Sequence, residues 1–149
     1  MQAAGEISVQ TQIFLPVCAL VALTFVVLLL VPIFRFIAAA RREVTVDDFA
    51  LGESARVPAR VRLPNRNLAN LLEVPVLFYV LCLALFVTGH VTPLQLQLAW
   101  SYVGLRALHS FIHVTINYVP LRIVAFAASS TVLSVMWILF AQALMAGAA

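Results

Sequence analysis

Arg106-Ala107-Leu108-His109-Ser110-Phe111-Ile112-His113 lies inside the third long apolar run of the chain, with Asn117 and Arg122 just beyond it. Arg106, His109 and His113 are spaced three and then four residues apart, which puts them on one face of a helix. A lipid-facing helix has no use for such a face. An arginine at the bilayer centre costs about 2.5–3.5 kcal/mol even on insertion scales, so it turns to the inside of a bundle and meets a partner or a ligand there. This stretch therefore requires several spanning helices around a polar interior, and it marks where function is to be sought.

The rest of the composition agrees. Of 149 residues, 64% are hydrophobic and 10% charged, far outside the soluble globular range. The length suits one domain, 1–149. The first twelve residues carry no positive charge. The apolar run behind them lacks a small-residue cleavage pattern, so it reads as a retained helix and not a signal peptide. Cys18 and Cys82 sit within apolar runs and read as small buried hydrophobes. All nine basic residues are arginine, and Arg41, Arg42, Arg56, Arg60, Arg62 and Arg66 fall between the first two runs. Basic residues in a short loop mark the cytoplasmic side. No interleaving of basic and aromatic residues argues for nucleic acid.

Hydropathy gives four spans, at about 13–34, 67–88, 93–116 and 121–145. Each is long enough to cross ~30 Å of hydrocarbon at 1.5 Å per residue. The expected fold is an all-α integral membrane four-helix bundle. Thr92-Pro93 forms an N-cap and first-turn pair. Gly89-His90-Val91 and Asn117-Tyr118-Val119-Pro120 are tight connections, which make the last three helices antiparallel neighbours. Residues 39–66 read as a solvated polar loop whose arginines can also rest on anionic headgroups, with Pro58 and Pro64 opposing a continuous helix. Positive-inside places this loop and the turn at 117–120 in the cytoplasm and both termini outside. Ala125, Ala128 and Ser129 fit close helix packing on the last span.

On the second span, Arg66, Asn70 and Glu73 share a face within about two turns of the cytoplasmic end. Arg106 lies ~15 Å from the end of its own span, near mid-membrane. Glu73 lies ~9 Å inside the second span, within expected reach of Arg106 or His109. Arg66, Arg106 and Arg122 stand against Glu73 alone, and buried charges need partners. The excess calls for an anion: a carboxylated small molecule, a thiolate or a lipid headgroup. His109 and His113 have a metal-ligand spacing, but the surrounding arginines disfavour a cation, so no metal is expected. The two rings are left as a hydrogen-bonded structural pair or as acid–base groups.

Arg66-Asn67-Leu68-Ala69-Asn70-Leu71-Leu72-Glu73-Val74-Pro75-Val76-Leu77-Phe78-Tyr79 resembles the second-helix signature of the membrane-associated proteins in eicosanoid and glutathione metabolism (the MAPEG family). Arg106 to His113, with Asn117 and Arg122, resembles that family's third-to-fourth-helix signature. The resemblance implies a homotrimer with sites between subunits near the cytoplasmic face. It further implies glutathione as cosubstrate and transferase, peroxidase or isomerase chemistry on lipophilic small molecules. Carried over by position, Arg66, Asn70 and Glu73 hold the polar ends of the tripeptide, with Arg106, His109 and Asn117 supporting the site. Arg122 stabilises the thiolate, as a guanidinium beside a thiol should. His113 stands where many members have tyrosine, Ala69 where some have a second arginine, and Glu73-Val74-Pro75 is one residue tighter than usual. These departures resemble a bacterial branch of the family, which implies a bacterial inner membrane.

The leading expectation is a thiol-dependent membrane enzyme with Arg122 and His113 in the catalytic roles. Two others stand beside it: a non-catalytic module binding anionic lipid or a partner protein, and a small conducting bundle using His109, His113 and Glu73.

Overall fold

The computed structural model describes residues 8–147, and every regular element among them is helical. A short α1 (Val9–Gln12) leads into α2 (Phe14–Ala40). A 3-10 turn (Val46–Phe49) precedes α3 (Ala59–Leu72), and α4 (Pro75–Val87), α5 (Pro93–Val114) and α6 (Val119–Gly147) follow. The all-α expectation holds. Hydropathy qualifies three of the four expected spans: Val9–Ala40, Ala59–Val87 and Val119–Gly147 are long and apolar enough to cross a membrane. α5 is missing from that set because Gln95, Gln97, Arg106, His109 and His113 dilute its apolar content. Its 22 residues still measure about 33 Å.

Two proline effects correct the expected boundaries. The second span was expected from 67, yet its helix starts at Ala59, directly after Pro58. Pro58 occupies the N-cap with φ −57°, an angle its ring already imposes. Pro64 lies inside α3, where it removes only the amide that would have reached the Arg60 carbonyl. Pro75 has the larger effect: lacking an N–H, it stops the ladder, and the chain bends at Glu73 (φ −90°, ψ −90°) before restarting as α4. The second span is therefore two helices and not one.

The segment expected as a solvated loop is folded. Asp48 accepts from the Thr45 amide at 2.9 Å, the Thr45 hydroxyl at 3.0 Å and the Ser54 hydroxyl at 2.7 Å. These bonds, the Ser54 one foremost, hold its carboxyl below the usual carboxylate range. Ala38, Val44, Val57 and Val61 form a small apolar cluster beneath it. α2 continues past the expected end at 34, so Arg35 is helical; it pairs with Glu53 at 3.1 Å and lies 4.6 Å from the Phe49 ring centroid. Arg60 pairs with Glu43.

In the main core Leu20, Leu71, Phe78, Leu81, Tyr102 and Met136 are buried, with Phe78 and Tyr102 stacked at 4.7 Å. Ala125 and Ser129 are buried on α6, as close packing requires. Cys82 is buried, whereas Cys18 is on the outer surface, against expectation. The turns use left-handed backbone where sequence permits it. Gly89 (φ +73°) ends α4, with the His90 amide donating to the Leu85 carbonyl at 2.9 Å. Asn117 (φ +48°) ends α5 by donating to Ile112 at 2.7 Å. Gln10 donates to the Gly89 and Val91 carbonyls, which fixes the start of the chain beside the α4–α5 turn. α2 then runs along α5, so that Leu30 lines one groove with Val114 and Thr115. The folded 41–58 segment and the α5–α6 turn accordingly share the opposite end.

Candidate functional site

The site grows out of the break at Pro75. Once α3 stops, the carbonyls of its last turn lose their helical donors. Glu73 still reaches Ala69 at 3.1 Å, while the Asn70 carbonyl accepts instead from the Arg106 guanidinium on α5. Arg106 is fully buried, with its guanidinium carbon 5.5 Å from the centroid of the Phe126 ring on α6. Its Nε and Nη1 are buried without an acceptor. The expected ion pair with Glu73 is not formed: the carboxylate sits at the break and is exposed, and the ion pairs among the described residues lie elsewhere.

His109 lies one turn further on. Its Nδ1 is 3.1 Å from the Arg122 carbonyl, and a carbonyl only accepts, so Nδ1 carries the proton. In the neutral ring Nε2 is then the acceptor, and it has no partner. The His113 ring stands edge-on to His109 at 5.7 Å and is 1% exposed. Neither of its nitrogens is bonded, so the hydrogen-bonded histidine pair is not what forms. Arg122 donates to the Asn117 side-chain oxygen at 2.8 Å. The left-handed turn at Asn117 thus aims the arginine as well as closing α5.

Asn70, His109, Arg122, Ile123 and Phe126 wall a cavity of about 210 Å³. Of the expected site residues, the structure brings Asn70, His109 and Arg122 to this cavity, with Arg106 bonded to one wall and His113 against another. Asn117 acts through Arg122. Arg66 and Glu73 share the α3 face with Asn70 but are exposed and do not line the cavity; the Asn70 amide donates to the Arg66 carbonyl at 3.1 Å. Among the described residues no three His, Cys, Asp or Glu side chains gather as a metal site.

Phe126 and Asn67 escaped the sequence reading. Phe126 faces both Arg106 and His109. Its signal was there: it falls four residues after Arg122, on the same face of α6. Asn67 is fully buried with both amide atoms unpartnered, three residues before Asn70 and so one turn away on α3.

The described residues are all-helical, with three helices long and apolar enough to cross a membrane, as an integral membrane protein requires, and an arginine–histidine pocket at one end of the bundle. The sequence model of the MAPEG family matches residues 13–142, and the chain belongs to that family, whose members include glutathione-dependent enzymes. Neither the curated proteins nor the solved structures give a match.

Proposed function

We propose that the chain is a membrane transferase or peroxidase that uses glutathione, or a related anionic thiol, on an apolar electrophile or peroxide. The observation carrying this reading is the buried Arg106 guanidinium, with two unpartnered nitrogens beside a cavity walled by Arg122 and His109. Such donors fit carboxylates and a thiolate, because charge-assisted bonds are the strongest compensation available to a buried cation. The thiol, when bound, supplies the nucleophilic sulfur. Arg122, aimed by Asn117, holds the sulfur as thiolate. His113, with both nitrogens free, moves the proton.

Arg66, Asn70 and Glu73 take the polar ends of the tripeptide. The exposure of Arg66 and Glu73 on one subunit supports a site completed by a neighbour in a homotrimer. A groove of about 220 Å³ between α2 and α5, walled by Val26, Leu30, Ala107 and Phe111 among others, suits a lipophilic substrate arriving from the bilayer. The arginine-rich 41–58 segment and the Arg122 turn face the cytoplasm of a bacterial cell, with the termini across the inner membrane.

Glutathione titrated into purified protein should raise the unfolding temperature by mass action and give a calorimetric binding isotherm. Arg122→Ala should weaken both. No binding, together with an unchanged Arg122→Ala variant, sinks the reading.

Arg60, Arg62 and Arg66 along α3 favour a second reading, a non-catalytic module binding anionic lipid headgroups. Native mass spectrometry that retains anionic lipid, in protein with no thiol turnover, would select it.

A further inference from the structure

The opposite end of the bundle holds a second cavity. The α4–α5 turn, the start of α5 and the last turns of α6 enclose about 230 Å³, walled by His90, Leu94, Gln95, Leu139, Phe140 and Ala143. Gln95 is 3% exposed, and its Nε2 donates to the Met136 carbonyl at 3.1 Å. Since that carbonyl only accepts, the amide cannot be turned the other way. Its Oε1 is thereby fixed as an acceptor, and it is buried without a donor. His90 Nδ1 is likewise buried and unpartnered, with the ring edge-on to Phe140 at 6.3 Å. Two buried, orphaned polar atoms on side chains that line one largely apolar cavity are uncommon, because buried polar groups are generally satisfied.

The chemistry of the wall defines what would satisfy them. Among the described residues no Asp, Glu, Lys or Arg lines the cavity, so a charged ligand would find no compensating charge on these walls. The remaining wall is apolar apart from Thr92, whose hydroxyl oxygen already accepts from the Gln95 main-chain N–H at 3.1 Å. The volume lies below the ~300–1,000 Å³ of pockets for drug-sized ligands, which favours a small occupant. A hydroxyl both donates and accepts, so one such group can serve Gln95 Oε1 and His90 Nδ1.

We propose that this cavity binds a small, neutral, membrane-soluble alcohol or phenol whose hydroxyl donates to Gln95 Oε1, with His90 Nδ1 as its second partner. The site is separate from the Arg122 cavity. Gln95 and His109 are both on α5 and lie about 21 Å apart along its axis. An uncharged hydroxyl compound and an anionic thiol would therefore occupy one subunit together.

The full chain in detergent, titrated with 4-butylphenol against a blank of empty micelles, tests this directly. Saturable binding should be at least tenfold tighter than that of 4-butyltoluene, in which a methyl group of similar size replaces the hydroxyl. Gln95→Met should remove the preference for the phenol. Ala143→Phe, which fills the cavity and touches neither polar atom, should remove binding of both compounds. Arg122→Ala should bind 4-butylphenol as the wild type does. That result separates this site from the thiol site, whose own failure would leave the titration unaffected. Equal binding of 4-butylphenol and 4-butyltoluene, or wild-type binding by Ala143→Phe, overturns the proposal.

Discussion

The two ends of the bundle are made from the same helices and differ in the charge of what they leave unsatisfied. At the Arg122 end the unpartnered atoms include those of Arg106, His109 and His113, beside the neutral Asn67 and Ser110, and the described arginines outside the bundle interior gather around the same end. At the His90 end they belong to Gln95, Gln10 and His90, and among the described residues no Asp, Glu, Lys or Arg lines the cavity there. α5 connects the two, with Gln95, Tyr102, Arg106, His109 and His113 all buried along it. Polar burial here is thus not a general looseness of packing. What separates the two ends is the buried arginine, present at one and absent from the other among the described residues.

The most severe test of that contrast is Arg106→Met. Hydrogen bonds to charged groups contribute ~1.5–3 kcal/mol each, so losing the two free nitrogens should weaken glutathione binding about 100-fold or more. Thermal stability without ligand should change little, because removing a buried charge with two unpartnered nitrogens offsets the loss of its bond to the Asn70 carbonyl. Binding of 4-butylphenol at the far end should not change. A variant that unfolds, or that keeps its glutathione affinity, would show that Arg106 serves only the packing of α3 on α5.

Much of the Arg122 end was legible beforehand. Helical spacing alone put Arg106, His109 and His113 on one face, and depth alone demanded that the face turn inward. The partner of Arg106 was not legible, because charge counting looks to carboxylates while the actual acceptor is a main-chain carbonyl. The clue was Pro75, whose missing N–H ends α3 with a bend at Glu73, so that Val74 does not bond the Asn70 carbonyl and leaves it to Arg106. The fold of 41–58 was missed for a related reason. Its order comes from Asp48 meeting Thr45 and Ser54, contacts that have no periodicity to detect. The His90 cavity was invisible too, since it forms where the end of α6 returns beside the start of α5, far apart in sequence.

A smaller effect is expected from Asn117, which bonds Arg122 without lining the cavity. Its φ of +48° makes Asn117→Gly the clean variant: glycine keeps the left-handed turn and deletes only the amide. Loss of one side-chain bond to a charged group should weaken glutathione binding by about tenfold, or ~1.5 kcal/mol. Asn117→Ala adds backbone strain, so it should also lower the unfolding temperature, which separates aiming of Arg122 from closure of α5. Equal affinity in Asn117→Gly and wild type would place Arg122 outside the ligand contacts.

The mildest effect is expected in the 41–58 segment, and it should divide the two ends by pH. Asp48 has its pKa held down by bonds that only the carboxylate accepts fully. A lowered folded pKa means that the stabilisation is present above the ordinary aspartate value of about 3.9. It is lost as pH falls through the lower, folded value. Amide protection across 43–57, corrected for intrinsic exchange, should therefore drop on acidification below pH ~4, while protection at the α4–α5 turn stays flat. Asp48→Asn should show reduced protection in 43–57 already at neutral pH, with the acid dependence removed, since an amide offers one acceptor oxygen where the carboxylate offers two. A parallel loss of protection at both ends would mean that acid acts on the bundle as a whole and not on this carboxylate.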